Sequence, residues 1–196
     1  RPGQPAVIDA HLERAEIEPA LAERARIVKP AARDLLPSLV VLLLAFGLDR
    51  AHKFYQIEVQ GWRGGEIIQV TDFFDYVLVW NTGVSYGLFG NLPLWVLGIV
   101  IVLATGMLIV WWVRSTQSLV RIGLALCIGG ALSNGVDRLL YGAVADFFHF
   151  HWQGYSFYIF NIADMAITFG VLLLILDILG IGTAGRRPPP GERNAA

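Results

Sequence analysis

LPLWVLGIVIVLATGMLIVWWV, residues 92–113, decides the fold: it is 22 residues long and carries no charge. A helix needs about 20 apolar residues to cross the hydrocarbon core of a bilayer. The run does not alternate between apolar and polar residues, so a membrane barrel strand is a poor reading. Working outward, three more apolar stretches appear. Residues 119–136 have one charge, Arg121, near the start, and residues 157–176 have one, Asp164. Residues 35–48 are fourteen uncharged residues that run on into Asp49-Arg50-Ala51-His52-Lys53, so the first span is complete only if that polar end reaches the interface. The expected architecture is an all-α membrane protein with four transmembrane helices, a small β-rich interfacial region and a loop or helix lid on the outer side.

The composition agrees. Of the 196 residues, 55% are hydrophobic and 16% charged, and mean hydropathy is +0.56, against roughly 25% charged in ordinary soluble chains. The net charge of −1 supplies no basic field for nucleic acid. A single cysteine, Cys127, excludes an intrachain disulfide framework and any cysteine-based zinc cluster; in an apolar helix it reads as core packing. Lys and Arg set the orientation. Eleven of the fifteen lie in the N-terminal segment, the connection between the second and third spans, and the C-terminal tail; Arg50, Lys53, Arg63 and Arg138 lie on the other side. Both termini are therefore expected in the cytoplasm. Residues 1–33 read as a cytoplasmic extension, with a short surface helix over 11–28 and no cleavable signal peptide. Residues 34–182 read as the membrane domain and 183–196, with Pro188-Pro189-Pro190, as a disordered tail.

Two outer segments connect the spans. Residues 55–90, with Gly64-Gly65 and the β-rich 66–70, suit short strands at the interface, and residues 139–158 are dense in aromatics. Trp and Tyr favour the headgroup level. Both segments read as resting on lipid headgroups, the second as the expected lid.

Ionisable residues at membrane depth are costly and mark function. They are Asp49, Lys53, Asp137, Arg138, Asp146, Asp164 and Asp177, and all but Asp177 lie toward the outer face. Helical spacing groups Asp49 with Lys53, Asn134 with Asp137 and Arg138, and Asn161 with Asp164. Asp137–Arg138 and Asp49–Lys53 read as structural ion pairs. Asp146 and Asp164 have no adjacent base. Two carboxylates in apolar surroundings fit a pair sharing one proton, as in aspartic peptidases; the plainer alternative is that each caps a helix end. His149 and His151 flank Phe150, but no third ligand of matching character lies nearby in sequence, so no metal is expected. Ser85 and Ser133 lack a Ser–His–Asp partner set. Gly129-Gly130-Ala131 reads as a close helix contact. A transporter would need polar groups spaced through the bilayer, which residues 92–113 lack; a scaffold with purely structural aspartates stays open.

Five blocks, in order, bring in a family. Asp49-Arg50-Ala51-His52-Lys53, Asn81-Thr82-Gly83-Val84-Ser85-Tyr86-Gly87, residues 129–138, Gly142-Ala143-Val144-Ala145-Asp146-Phe147 and Phe160-Asn161-Ile162-Ala163-Asp164 resemble the motifs of lipoprotein signal peptidase, or signal peptidase II. The resemblance spans roughly residues 35–180. It implies a four-span aspartic endopeptidase of the bacterial inner membrane. Such an enzyme removes signal peptides from diacylglyceryl-modified prolipoproteins, cutting on the amino side of the lipidated cysteine. It places the catalytic aspartates on Asp146 and Asp164 and polar support on Asp49, Lys53, Asn81, Gly83, Asn134, Asp137, Arg138 and Asn161. It further implies membrane lipids and globomycin-type inhibitors as partners, no cofactor and no nucleic acid; a monomer is expected. Arg50 and His52 stand where the family usually has Gln and Ser or Thr, Val84-Ser85-Tyr86 replaces Ala-Ala-Phe, and Ser133 replaces Gly. None of these touches the aspartates.

Overall fold

The computed structural model describes residues 32–83 and 94–181. The expected helix over 11–28, the tail 183–196 and the Val84-Ser85-Tyr86 variation lie outside the described residues. Among the described residues, four α-helices and four strands follow in chain order. They are α1 (Ala32–Phe54), β1 (Ile67–Thr71), β2 (Phe74–Asn81), α2 (Leu94–Arg114), α3 (Ser118–Tyr141), β3 (Val144–Trp152), β4 (Tyr155–Ser156) and α4 (Ile162–Ile178). A π-helical turn, Tyr55–Val59, prolongs α1. The polar Asp49–Lys53 segment continues the first helix as expected, which brings α1 to 23 residues. Among the described residues, Leu35–Val59 and Ser118–Tyr141 are long and apolar enough to cross a membrane; Gly98–Arg114 is a shorter apolar helix.

α3 is the central helix. It buries Leu124, Ala125, Cys127 and Ile128, whereas Trp95, Val102, Leu103 and Met107 of α2 are exposed. In lipid, apolar side chains gain little by leaving an equally apolar solvent, so helices associate where small residues admit close backbone contact. That is the use made of the glycines. A Cβ at Gly129 would meet the Leu42 carbonyl of α1 at 2.6 Å, and one at Gly130 would meet the Ala163 carbonyl of α4 at 2.5 Å. α3 ends on Gly142, whose left-handed φ of 73° and N–H to the Arg138 carbonyl (3.1 Å) turn the chain into β3. At the other end of the bundle, Trp112 Nε1 donates to Ser38 Oγ at 3.0 Å and ties α2 to α1.

The strands form one antiparallel sheet in the order β1-β2-β3-β4. Segment 55–90 supplies β1 and β2, as its alternation predicts. Segment 139–158, read from sequence as a closing loop or helix, instead completes this sheet with β3 and β4. The physical reason is visible in Val144–Trp152: aromatic residues alternate with histidines over 148–152, the preceding four residues are buried, and β2 pairs along the strand. Ile57, Leu78, Ala145 and Phe147 form a small core beneath the sheet, with Trp62, Tyr76 and Trp80 around it. His52 projects from α1 into this core, edge-on to Phe147 at 4.7 Å and bonded to the Tyr76 hydroxyl at 2.6 Å. The sheet is thereby seated on the ends of α1, α3 and α4 that carry the polar residues.

Candidate active site

The sequence-predicted residues converge where β2 and β3 meet those helix ends. Asp146 stands near the start of β3, 1% exposed. Its Oδ1 accepts from Asn161 Nδ2 at 2.7 Å and its Oδ2 from Asn81 Nδ2 at 3.1 Å. Asp164 lies in the first turn of α4, half-buried. Its Oδ1 accepts from Asn134 Nδ2 at 2.8 Å and its Oδ2 from the Asn161 backbone N–H at 3.3 Å. Asn161 thus bridges the two carboxylates, donating its side chain to one and its backbone to the other. Asn161 also caps α4 by accepting from the Asp164 N–H at 2.9 Å, a reciprocal capping box. The capping and dyad readings of Asp164 are therefore compatible.

A buried ionic cluster lies beneath the pair. Lys53, fully buried, donates to Asp49 Oδ2 at 2.8 Å, Asp137 Oδ2 at 2.7 Å and Asn134 Oδ1 at 2.9 Å. Arg50 pairs with Asp137 Oδ1. Two carboxylates are matched by two cations, the condition under which buried charge is tolerable. The Asp49–Lys53 pair matches its sequence reading. The Asp137–Arg138 pair does not form: Asp137 goes to Arg50 and Lys53, and Arg138 Nη1 donates instead to the Asn134 carbonyl at 3.2 Å. Adjacent residues on a helix point about 100° apart, so i and i+1 seldom meet.

The cluster acts on the dyad through backbone. Asp137 Oδ2 accepts from the Ala145 N–H at 3.1 Å, and Asp49 Oδ1 accepts from the Ala163 N–H at 2.9 Å. Each of these alanines immediately precedes one of the two aspartates. Two residues without an assigned role in sequence join here: Ser133 Oγ donates to Asp49 Oδ2 at 2.6 Å, and Arg50 is the counter-ion of Asp137. Their partners lie on other helices, so no local spacing signals them. Gly83 donates its N–H to Asn81 Oδ1 at 2.9 Å, and the other end of the Asn81 amide also donates to the Tyr158 hydroxyl at 2.6 Å.

Burial first, then the negative charge of Asp164, pushes the Asp146 carboxyl up to about 7, against the opposing pull of the Asn81 and Asn161 hydrogen bonds. Arg138 faces the pair electrostatically, Asp164 more strongly than Asp146. Its buried Nε has no hydrogen-bond partner among the described residues. Arg138 also lines an apolar cavity of about 680 Å³ with Trp95, Ile101, Thr105, Ala131 and Gly135, between α2 and α3. Two close carboxyl groups, one raised toward neutral pH, beside a cation and an apolar cavity are groups that can polarise and hydrolyse an amide bond.

Comparison with known proteins gives one answer. The family model for signal peptidase (SPase) II matches residues 41–180. A lipoprotein signal peptidase of Methylorubrum extorquens (strain PA1) is 44% identical over 150 residues, covering 72% of this chain and 84% of that protein. One from Rhodopseudomonas palustris (strain TIE-1) is 41% identical over 161 residues, covering 77% and 96%. A bacterial membrane enzyme solved by the in meso method at 2.3 Å superposes with a TM-score of 0.65 and 26% identity, covering 78% of this chain and 93% of that one.

Proposed function

The chain belongs to the signal peptidase II family, and from that premise we propose that it is an aspartic endopeptidase whose dyad is Asp146 and Asp164. Its substrates are diacylglyceryl-modified prolipoproteins, cut on the amino side of the lipidated cysteine. It works in the bacterial inner membrane as a four-span protein, with both termini cytoplasmic and the dyad at the outer face. The observation that carries this reading is the Asn161 bridge, with one residue bonded to both carboxylates.

In the reaction, Asp146 is the better-buried partner and holds the shared proton; Asp164 is ionised. A water between them gives a proton to Asp164 and its oxygen attacks the scissile carbonyl carbon. Asp146 passes its proton to the carbonyl oxygen. The tetrahedral adduct collapses as Asp164 returns the acquired proton to the leaving nitrogen, the carbon–nitrogen bond breaks, and Asp146 recovers its proton. Arg138, whose buried Nε donor has no partner among the described residues, holds a substrate carbonyl. The apolar cavity bordered by Trp95 and Arg138 takes an acyl chain of the diacylglyceryl group. Asn81, Asn134 and Asn161 hold the carboxylates at fixed angles, and Lys53 with Asp49 and Asp137 fixes the backbone they hang from.

The test is cleavage of a diacylglyceryl-modified prolipoprotein by the purified chain in detergent, beside Asp146→Asn and Asp164→Asn. Wild-type cleavage, lost in both folded variants, is expected. Cleavage retained in either variant discards the dyad, and no cleavage by folded wild type on several lipidated substrates discards the peptidase reading.

A further inference from the structure

A second polar cluster lies on the same sheet, at the other end of the β2–β3 pair. His149 and His151 are two apart on β3 and so share a face. Asp75 of β2 is the direct register partner of His149. The third residue that the sequence did not offer beside His149-Phe150-His151 is therefore supplied across the strand pair. One ligand-capable atom from each of the three lies within 4.8 Å of the others. All three side chains are partly accessible, between 17% and 28% exposed.

The hydrogen-bond network gives the cluster a direction. The Ser156 hydroxyl donates to the Phe157 carbonyl (3.4 Å), so it accepts from His149 Nε2 at 2.7 Å. With the hydroxyl hydrogen so directed, His149 carries its hydrogen on Nε2 and a lone pair on Nδ1. This lone pair faces Asp75 Oδ2 at 3.5 Å. His151 Nε2 lies 3.1 Å from the same oxygen, yet it is buried and makes no hydrogen bond among the described residues. Two imidazole nitrogens thus converge on one carboxylate oxygen; a lone pair on either facing that oxygen is repulsive, and a proton or a shared cation relieves it.

We propose that Asp75, His149 and His151 form a binding site for a divalent transition-metal cation of the zinc class. Tetrahedral bonds of 2.0–2.1 Å place ligand atoms about 3.3 Å apart. The observed 3.5 and 3.1 Å separations bracket that edge. Two imidazoles and one carboxylate are a donor set that suits this class of cation and leaves a fourth position for water. The Ser156 bond supplies the outer support that metal-binding histidines commonly use on their second nitrogen. A cation here ties β2 to β3, whose opposite ends carry Asn81 and Asp146.

The competing account is a proton on each imidazole. Zinc titrated into the full-length chain in detergent at pH 8, against a chromophoric chelator, separates the two. Wild type is expected to take up one equivalent, and His151→Gln and Asp75→Asn each to weaken binding at least about tenfold. Zinc is expected to raise the thermal midpoint of wild type and not that of the variants. No uptake by wild type, or equal affinity in wild type and both variants, overturns the site. Copper(II) paramagnetic resonance on wild type asks the same question without a variant. Hyperfine structure from two imidazole nitrogens is expected; one or none overturns the assignment.

Discussion

Lys53→Met tests whether the buried ionic cluster holds the dyad. Lys53 is fully buried and sits 2.7–2.9 Å from Asp137, Asp49 and Asn134. Methionine keeps most of the stem and removes the charge. Arg50 still covers Asp137, so the residue left without a cation is Asp49, which retains only Ser133 Oγ and the Ala163 N–H as donors. Breaking a buried pair by deleting one partner costs about 3–5 kcal/mol, because the stranded charge stays desolvated. For a chain of this size that lowers the thermal midpoint by on the order of 10 °C. The assay is thermal unfolding in a mild detergent, run as a double-mutant cycle with Asp49→Asn. The amide at position 49 still accepts from Ser133 or Ala163 but strands no charge, so the double variant is expected to recover more than half of the loss. Activity is expected to stay low even there, since Asn134 has lost the ammonium that orients its amide toward Asp164. A Lys53→Met loss below about 1 kcal/mol, in the range of an exposed pair, or no recovery in the double variant, would refute the reasoning.

Three further outcomes follow from the same geometry. The Asp146 carboxyl titrates near 3.8 when unfolded and near 7 when folded. Between these values the native chain holds a proton that the unfolded chain has released. Stability therefore falls as pH rises through that window, by about 4 kcal/mol in all. Asp146→Asn is expected to flatten this slope in melts at pH 5 and pH 8, and wild-type turnover to decline above about pH 7 as the shared proton is lost. Gly130→Ala sets a methyl against the Ala163 carbonyl and Ile167 Cγ1, at 2.5 and 2.9 Å. It is expected to cost about 1–3 kcal/mol and to reduce turnover by shifting the start of α4, whereas Gly47→Ala, with nothing within 4 Å, changes neither. Ser133→Ala removes a 2.6 Å bond to the Asp49 carboxylate; a loss of about 1–3 kcal/mol is expected, read by the same melts.

The apolar helices and the candidacy of Asp146 and Asp164 were legible because both signals are local. An uncharged run of 22 residues has one economical fate in a bilayer, and a carboxylate without a neighbouring cation stands out against apolar flanks. Signals that cross between elements were not legible. Asp137 looked paired with Arg138 by adjacency, but its partners are Arg50 and Lys53, one helix away. The loop or helix form expected of 139–158 gave way to strands because Val144–Trp152 finds its long pairing partner in β2, some 65 residues earlier in the chain. Asp75 entered the histidine pair by register alone, and register is set by pairing that no single strand reveals.

The support of the dyad has a common logic that the family motifs, taken separately, do not display. Asp146 and Asp164 arrive on a strand and a helix, and in lipid little apolar driving force presses those elements together. Their separation has to be fixed by directional bonds instead. Each aspartate follows an alanine whose backbone N–H is held by a buried carboxylate, Asp137 for Ala145 and Asp49 for Ala163. Both carboxylates meet at the single ammonium of Lys53. A backbone N–H has no rotamer to relax into, so displacing either carboxylate moves the aspartate beside it. The four-residue spacing of Asp49 and Lys53 on α1, and of Asn134 and Arg138 on α3, puts this apparatus on two helices packed at glycine distance through Gly129. Replacing the glycine would separate the ammonium from Asp137 and Asn134 on α3, while Asp49 on its own helix stays with it, without altering any charged residue. Dyad geometry is therefore expected to be as sensitive to Gly129→Ala as to Lys53→Met, with loss of turnover in both, and with stability recovered by Asp49→Asn only in the latter.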